Sequence, residues 1–286
     1  MRHAILGHGN LGESIIQHIT KHEHDEVTVI ECFAKPDFEY PFKGTQEVVD
    51  FNPDVIWNCV GVGSVDEGNK FFDYQIQVAI GMANWQMTTF PKAKHVIFTT
   101  DYASYRQSPH EIKSRYGVVK MMMESLVQYI SKNDGVAVCV YRVCNLYGAK
   151  HMSKNLVFKL AKSIDTNEKI KVPSNQVCMS NTDWLAACVY PMSMAVFKKS
   201  NRNFSKFFVA PTNNTISIYE LARAVARAMN KDASVVELGS VDESRPESPL
   251  PGKLDYQLTK GNHLHEPIDS MVKKIVKYYF MSKTVH

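Results

Sequence analysis

An α/β fold, a doubly wound parallel sheet followed by a smaller C-terminal lobe, is what this sequence predicts. Three observations carry the prediction. Over roughly the first 145 residues, short apolar runs alternate with stretches of helical spacing, the rhythm of βαβ units whose sheet is covered on both faces. A glycine-rich turn, Gly7-His8-Gly9-Asn10-Leu11-Gly12, joins the first run to the first helical stretch. After residue 145 the alternation loosens into amphipathic segments. A chain of 286 residues, 44% of them hydrophobic, has enough apolar surface for one large core and a smaller lobe.

The elements follow in order. His3 to Leu6 is a short apolar run ending in glycine, as a buried strand does. Glu13 to Ile19 continues as a helix with Leu11, Ile15, Ile16 and Ile19 on one face. Strands are expected at Glu26–Ile30, Asp54–Val60, His95–Thr99 and Gly135–Tyr141, with helices at Phe71–Met87 and Ser114–Ser131 between them. Leu156–Ile164 and Ile218–Met229 read as amphipathic helices, Asp183–Val196 as a helix returning to the sheet, and Met271–Phe280 as a terminal helix. Residues 239–256, rich in Ser, Pro and Gly, read as a loop. The domains expected are residues 1–148 with a return of about 176–212, and a lobe of 149–175 with 213–286.

The glycine turn makes the sheet of Rossmann type. Gly7 permits the tight turn, Gly9 lets the backbone approach a pyrophosphate, and Gly12 lets the helix pack close to the strand. The N–H groups of Asn10, Leu11 and Gly12 then lie at the positive end of a helix. Glu31 ends the second strand, nineteen residues after Gly12, where a carboxylate bonds the ribose hydroxyls of NAD and repels the 2′-phosphate of NADP; NAD is favoured over NADP, with Lys35 nearby softening the choice. Asn58, Val60 and Gly61 end another strand on the ligand edge of the sheet, although Asn58 reads equally as a plain turn residue.

Tyr116 and Lys120 share one face of a helix at i,i+4 spacing. A free phenol has a pKa of about 10 and is a poor acid at neutral pH. A nearby ammonium and an oxidised nicotinamide ring favour the phenolate. Tyr116 can then give a proton to a carbonyl oxygen as hydride reaches the carbon, with Thr100 orienting that oxygen. The Met121–Met123 run reads as helix packing, and His8 as a tolerated loop residue.

Bulk properties exclude other classes. A net charge of +4, with Lys and Arg scattered, is a soluble surface and not a nucleic-acid patch. The six cysteines form no Cys-x-x-Cys pair and several lie in apolar runs, as in a reduced cytoplasmic protein. The eleven histidines form no metal-binding spacing, no stretch has the length of a membrane span, and the N-terminus lacks the pattern of a signal peptide.

These residues resemble the extended short-chain dehydrogenase/reductase family, and within it the dTDP-4-dehydrorhamnose reductases. Phe98-Thr99-Thr100-Asp101-Tyr102, Tyr116-Gly117-Val118-Val119-Lys120, Tyr141-Arg142-Val143-Cys144-Asn145-Leu146-Tyr147-Gly148, Val65-Asp66 and Pro251-Gly252-Lys253-Leu254 carry the likeness. It implies an NAD(P)-binding domain with a substrate lobe, and reduction of a 4-keto group on a nucleotide-linked deoxysugar, as in dTDP-rhamnose biosynthesis. Thr100, Tyr116 and Lys120 would be catalytic, Asn145 would join the cofactor set, and Asp101, Tyr102, Asn155, Gln176 and Lys253 would meet the substrate, with His151 and Lys154 beside Asn155. The terminal helices offer a homodimer interface. The chain departs from the family in a short segment over residues 40–53, a short stretch from Thr100 to Tyr116, and Val62, Gly63 and Glu67 after the Asn58 strand. No Cys follows Thr100, so epimerisation is not expected at this site. A catalytically silent regulatory subunit of the same fold, and a nucleotide-sugar epimerase, stay open as alternatives.

Overall fold

A computed structural model describes residues 1–22, 25–30, 44–61, 69–100, 114–148, 155–199, 205–209, 214–241 and 267–283. Chain contacts divide it into two compact units. The first comprises Met1–Val143 and Asp183–Ala210, the second Cys144–Thr182 and Pro211–His286.

The first unit is built on β1 (Arg2–Leu6), β2 (Glu26–Ile30), β3 (Val55–Asn58), β4 (Lys94–Thr100), β5 (Val138–Val143) and β9 (Ser205–Val209), in the order β2-β1-β3-β4-β5-β9. All five strand pairs are parallel. Residues 31–43 lie outside the description, and beyond β2 no further strand occurs among the described residues. The short segment that follows holds a helix, α2 (Thr45–Phe51), closed by Asn52 in the left-handed region.

Alternation along the strands sorts their side chains to two faces. Ala4, Leu6, Ile56, Ile97, Val138 and Val140 meet α2, α3 (Phe72–Ile76), α4 (Met82–Thr89) and α5 (Arg115–Asp134). Trp57 and Tyr141 meet α7 (Thr182–Lys199), through stacking of Trp57 on Tyr190 and a 2.9 Å hydrogen bond between the Tyr141 and Ser193 hydroxyls. Ser14 on α1 (Asn10–His22) donates to Asp183 at 2.6 Å, tying α1 to the same helix. Burial on both faces is why these strands read as continuous apolar runs.

Two features refine the expected elements. The helix expected over Phe71–Met87 contains a π turn, Gln77–Gly81, between α3 and α4. Gly135 caps α5 with φ of 72°, so the strand expected from Gly135 starts at Val138. Ser114 opens α5 by accepting from Gly117 N–H at 3.0 Å.

Among its described residues the second unit holds five strands that periodicity missed. Strands β10 (Asn214–Ser217), β8 (Gln176–Asn181) and β6 (Asn145–Tyr147) form one sheet, and β11 (Val236–Leu238) pairs with β7 (Ile170–Val172). Helices α6 (Leu156–Asp165), α8 (Ile218–Ala228) and α9 (Ile268–Lys283) close over Val177, Met179 and Tyr147. Residues 176–181, expected in the return to the first domain, are the central strand of this sheet. Strands of three or four residues are too short for a period of two to register in the sequence. No described helix is long and apolar enough to cross a membrane.

Candidate active site

The glycine turn, the turn after β3 and the start of α5 all belong to the first unit. Gly7 has φ of +93°, and a Cβ there would stand 3.0 Å from the backbone of Cys59 and Val60. Only glycine lets the two turns approach so closely. A Cβ on Gly12 would stand 2.1 Å from the Gly7 carbonyl oxygen, so the first turn of α1 folds against the loop it leaves. A Cβ on Gly9 would meet nothing in the chain within 4 Å. Its open side therefore offers a cradle beside the N–H groups of the first turn of α1, which have no helical acceptor. Asn10 Oδ1 is buried there without a partner among the described residues. His8 faces Glu13 at 2.5 Å, and Glu13 also accepts from Gln17.

A directional chain of hydrogen bonds holds the turn after β3. Val60 N–H donates to Asn58 Oδ1 at 3.1 Å, and Asn58 Nδ2 donates to Gln86 Oε1 at 2.8 Å. Gln86 Nε2 meets His95 Nδ1 at 3.3 Å, and His95 Nε2 donates to the Phe90 carbonyl at 3.0 Å. All three side chains are buried. Burial lowers the His95 pKa to about 4, so the ring is neutral and its Nδ1 is free to accept. Asn58 thus spends its side chain shaping the turn.

Lys120 reaches this turn from α5. It is only 3% exposed, and a Cβ on Gly61 would stand 3.2 Å from its Nζ. Burial lowers its pKa to about 8, against the opposing pull of Glu124 one turn further along α5. Glu124 is gripped by Arg142, whose Nη2 lies 2.7 Å from Oε2 and whose Nε bonds both carboxylate oxygens. Tyr116 is half-buried, with its ring centre 5.9 Å from Lys120 Nζ. Its backbone is clamped at both ends: its N–H donates to Asn69 Oδ1 at 3.1 Å, and its carbonyl accepts from Gln75 Nε2 at 3.3 Å. Gln75 is 1% exposed and lies just before the π turn; its Oε1 has no partner among the described residues. π turns of this sort recur at functional sites.

Gly7, Gly12, Val60, Gly61, Tyr116 and Lys120 are therefore brought together. Thr100 ends β4 opposite Val143, with its backbone described and its side chain not. In the second unit, Asn145 donates to the Cys178 carbonyl at 3.2 Å, and Asn155 caps α6 by accepting from Phe158 N–H at 2.8 Å. Gln176 lines a groove of that unit. Glu31, Lys35, Val62, Gly63, Val65, Asp66, Glu67, Asp101, Tyr102, His151, Lys154 and Lys253 lie outside the described residues. Asn69, Gln75, Gln86 and Glu124 went unread in the sequence, because single polar residues inside helices carry no motif. Of these only Glu124 had a readable signal, its i,i+4 step from Lys120.

A six-stranded parallel sheet whose first strand passes through a glycine turn into α1 is a Rossmann-like fold. Residues 4–185 match the model of the NAD dependent epimerase/dehydratase family, and the chain belongs to it. No curated protein matches by sequence. Among solved structures, UDP-glucuronic acid 4-epimerase from Bacillus cereus, in complex with UDP-glucuronic acid and NAD, is similar with a TM-score of 0.80 and 13% identity over 100% of both chains. UDP-glucose 4-epimerase from Thermus thermophilus, complexed with NAD, gives 0.77 and 15% over 98% of this chain and 99% of that one. A dTDP-4-dehydrorhamnose reductase from Clostridium acetobutylicum gives 0.70 and 19% over 99% and 100%. At such identities the likeness is one of fold.

Proposed function

We propose that the chain reduces a 4-keto group on a nucleotide-linked deoxysugar at the expense of NAD(P)H, in the manner of a dTDP-4-dehydrorhamnose reductase. One observation carries the proposal: Lys120 is buried against the turn that meets the glycine loop, with Tyr116 one helical turn away. The dinucleotide pyrophosphate would rest on Gly7, Gly9, Asn10, Leu11 and Gly12, and the turn Asn58–Gly61 would flank it. Glu31 would take the ribose hydroxyls and favours NAD. When bound, the dinucleotide supplies the hydride. Tyr116 gives its hydroxyl proton to the substrate oxygen, which Thr100 orients. The Lys120 ammonium stabilises the negative charge left on the phenol oxygen. Asn69 and Gln75 hold the Tyr116 backbone so that the hydroxyl stays in place.

The test is NADH and NADPH oxidation with a panel of 4-keto nucleotide-sugars, comparing wild type with Tyr116→Phe. Stoichiometric consumption that the substitution abolishes supports the proposal. Saturable NADH binding without turnover across the panel favours the silent regulatory subunit. Epimerisation is the second reading, supported by the family match and the likeness to two 4-epimerases. It interconverts sugars without net NADH consumption, so the same assay separates it.

A further inference from the structure

Lysines that lie far apart in the sequence are gathered by the fold of the second unit. Helices α6 and α9 lie side by side: Phe158 of α6 packs on Tyr279 of α9 with ring centres 5.4 Å apart, and both helices bury their apolar faces in one core. α6 carries Lys159 and Lys162, and α9 carries Lys273, Lys274, Lys277 and Lys283. Against these six lysines stand two acids, Asp165 and Asp269. The excess of four equals the net charge of +4 on the whole chain, so all other residues balance to zero.

The two acids do little to offset the outward charge. The Asp165 carboxylate accepts from the Tyr279 hydroxyl at 2.9 Å and pairs with Lys283 and, at 3.8 Å, with Lys231. Asp269 lies in the first turn of α9, where the helix end favours its charge. Lys159 and Lys162 share one face of α6, and Lys273 and Lys277 one face of α9. All four are exposed, and among the described residues none of them forms an ion pair. Phe280 and Met281 continue the Lys273–Lys277 face by one turn and are 44% and 47% exposed. Neither helix holds an arginine, so the forked pairing that favours nucleic-acid phosphates is missing. A second copy of the chain would set the same lysines against one another. Exposed lysines beside an exposed aromatic ring are the pattern of a helix lying on a membrane interface, with ammoniums at anionic headgroups and the ring at the acyl boundary.

We propose that the α6–α9 face of the second unit docks on an anionic lipid surface, with Lys159, Lys162, Lys273 and Lys277 at the headgroups and Phe280 and Met281 at the acyl boundary. The contact is peripheral, since no described helix is long and apolar enough to cross a bilayer. It does not depend on the reaction proposed above.

The test is flotation of the full chain with vesicles of phosphatidylcholine alone and with about 30% phosphatidylserine added, at low salt. Binding to the anionic vesicles is expected, absent on the neutral ones and lost as salt rises to about 0.5 M. A lysine at such a surface contributes about fivefold, so Lys273→Gln combined with Lys277→Gln should lower partitioning about 20-fold. Phe280→Ser should lower it about fivefold. Lys198→Gln combined with Lys199→Gln removes the same charge from exposed positions of the first unit and should leave partitioning within about twofold. These lysines are exposed, so their substitution leaves the fold intact. Equal partitioning on neutral and anionic vesicles, or equal losses from the two double variants, overturns the proposal. Lysine-dependent binding to a single-stranded oligonucleotide without binding to vesicles overturns it as well, and makes the face a nucleic-acid site.

Discussion

The glycine-turn seat of the first unit and the groove of the second are built from different materials. The seat is made of backbone. Gly7, Gly12 and Gly61 remove side chains where two turns and a lysine converge, and buried hydrogen bonds hold the surrounding loop. The groove is made of side chains that project from α8, β8 and β11. A site of backbone tolerates almost no substitution at its glycines, whereas a site of side chains can be retuned one residue at a time.

Five substitutions break or sharpen this contrast, from the largest expected effect to the smallest. Tyr116→Phe removes the proton donor and should lower kcat by about 10²-fold or more, while dinucleotide Kd stays within about twofold. Stopped-flow turnover and calorimetry on the same sample check both halves. Gly12→Ala drives a methyl into the Gly7 carbonyl and should cost about 3 kcal/mol, with dinucleotide binding lost before the fold is; denaturant titration with and without NADH measures this. Gln86→Leu strands the Asn58 amide and the His95 acceptor, and should cost about 2 kcal/mol and weaken NADH binding. An unchanged NADH Kd would mean that the turn after β3 takes no part in the seat.

Ser217→Ala opens the capping box of α8 and should cost about 1 kcal/mol, confined to the second unit; hydrogen exchange should speed up in α8 and not in α1. The smallest effect is on pH. The ammonium of Lys120 is lost as pH rises through about 8, so kcat should fall above that value. Glu124 raises the Lys120 pKa, so Glu124→Gln should move the break acidward by a fraction of a pH unit. A break that stays put would separate Lys120 from the rate. The sign for stability runs the other way. Lys120 is depressed in the folded chain, so the unfolded chain binds more protons between about 8 and 10.5 and stability gains from this group as pH rises through that window.

Much of the first unit could be read from residue order. The glycine turn, the buried strands and the Tyr116–Lys120 step are local patterns with fixed periods, and the helices and strands expected from them fall within a few residues of where those periods end, while α2 and β9 went unread. The sheets of the second unit resisted because four of their five strands have only three or four residues, too few for alternation to show. The supports of the site resisted for another reason. Asn69, Gln75 and Gln86 are single amides whose partners lie 47, 41 and 28 residues away at most in sequence, and nothing local marks them.

Sequence alone determined that a sheet of parallel strands would form, that a glycine turn would open its first helix, and that a phenol and an ammonium would share one face of α5. These follow from periodicity and from the steric needs of backbone. Only the tertiary structure decided that Lys120 is desolvated against Gly61, that Asn58 serves its own turn, and that Arg223 and Arg227, without a carboxylate partner among the described residues, line one groove. Burial and the pairing of charges depend on which distant segments meet, and that is a property of the folded chain as a whole.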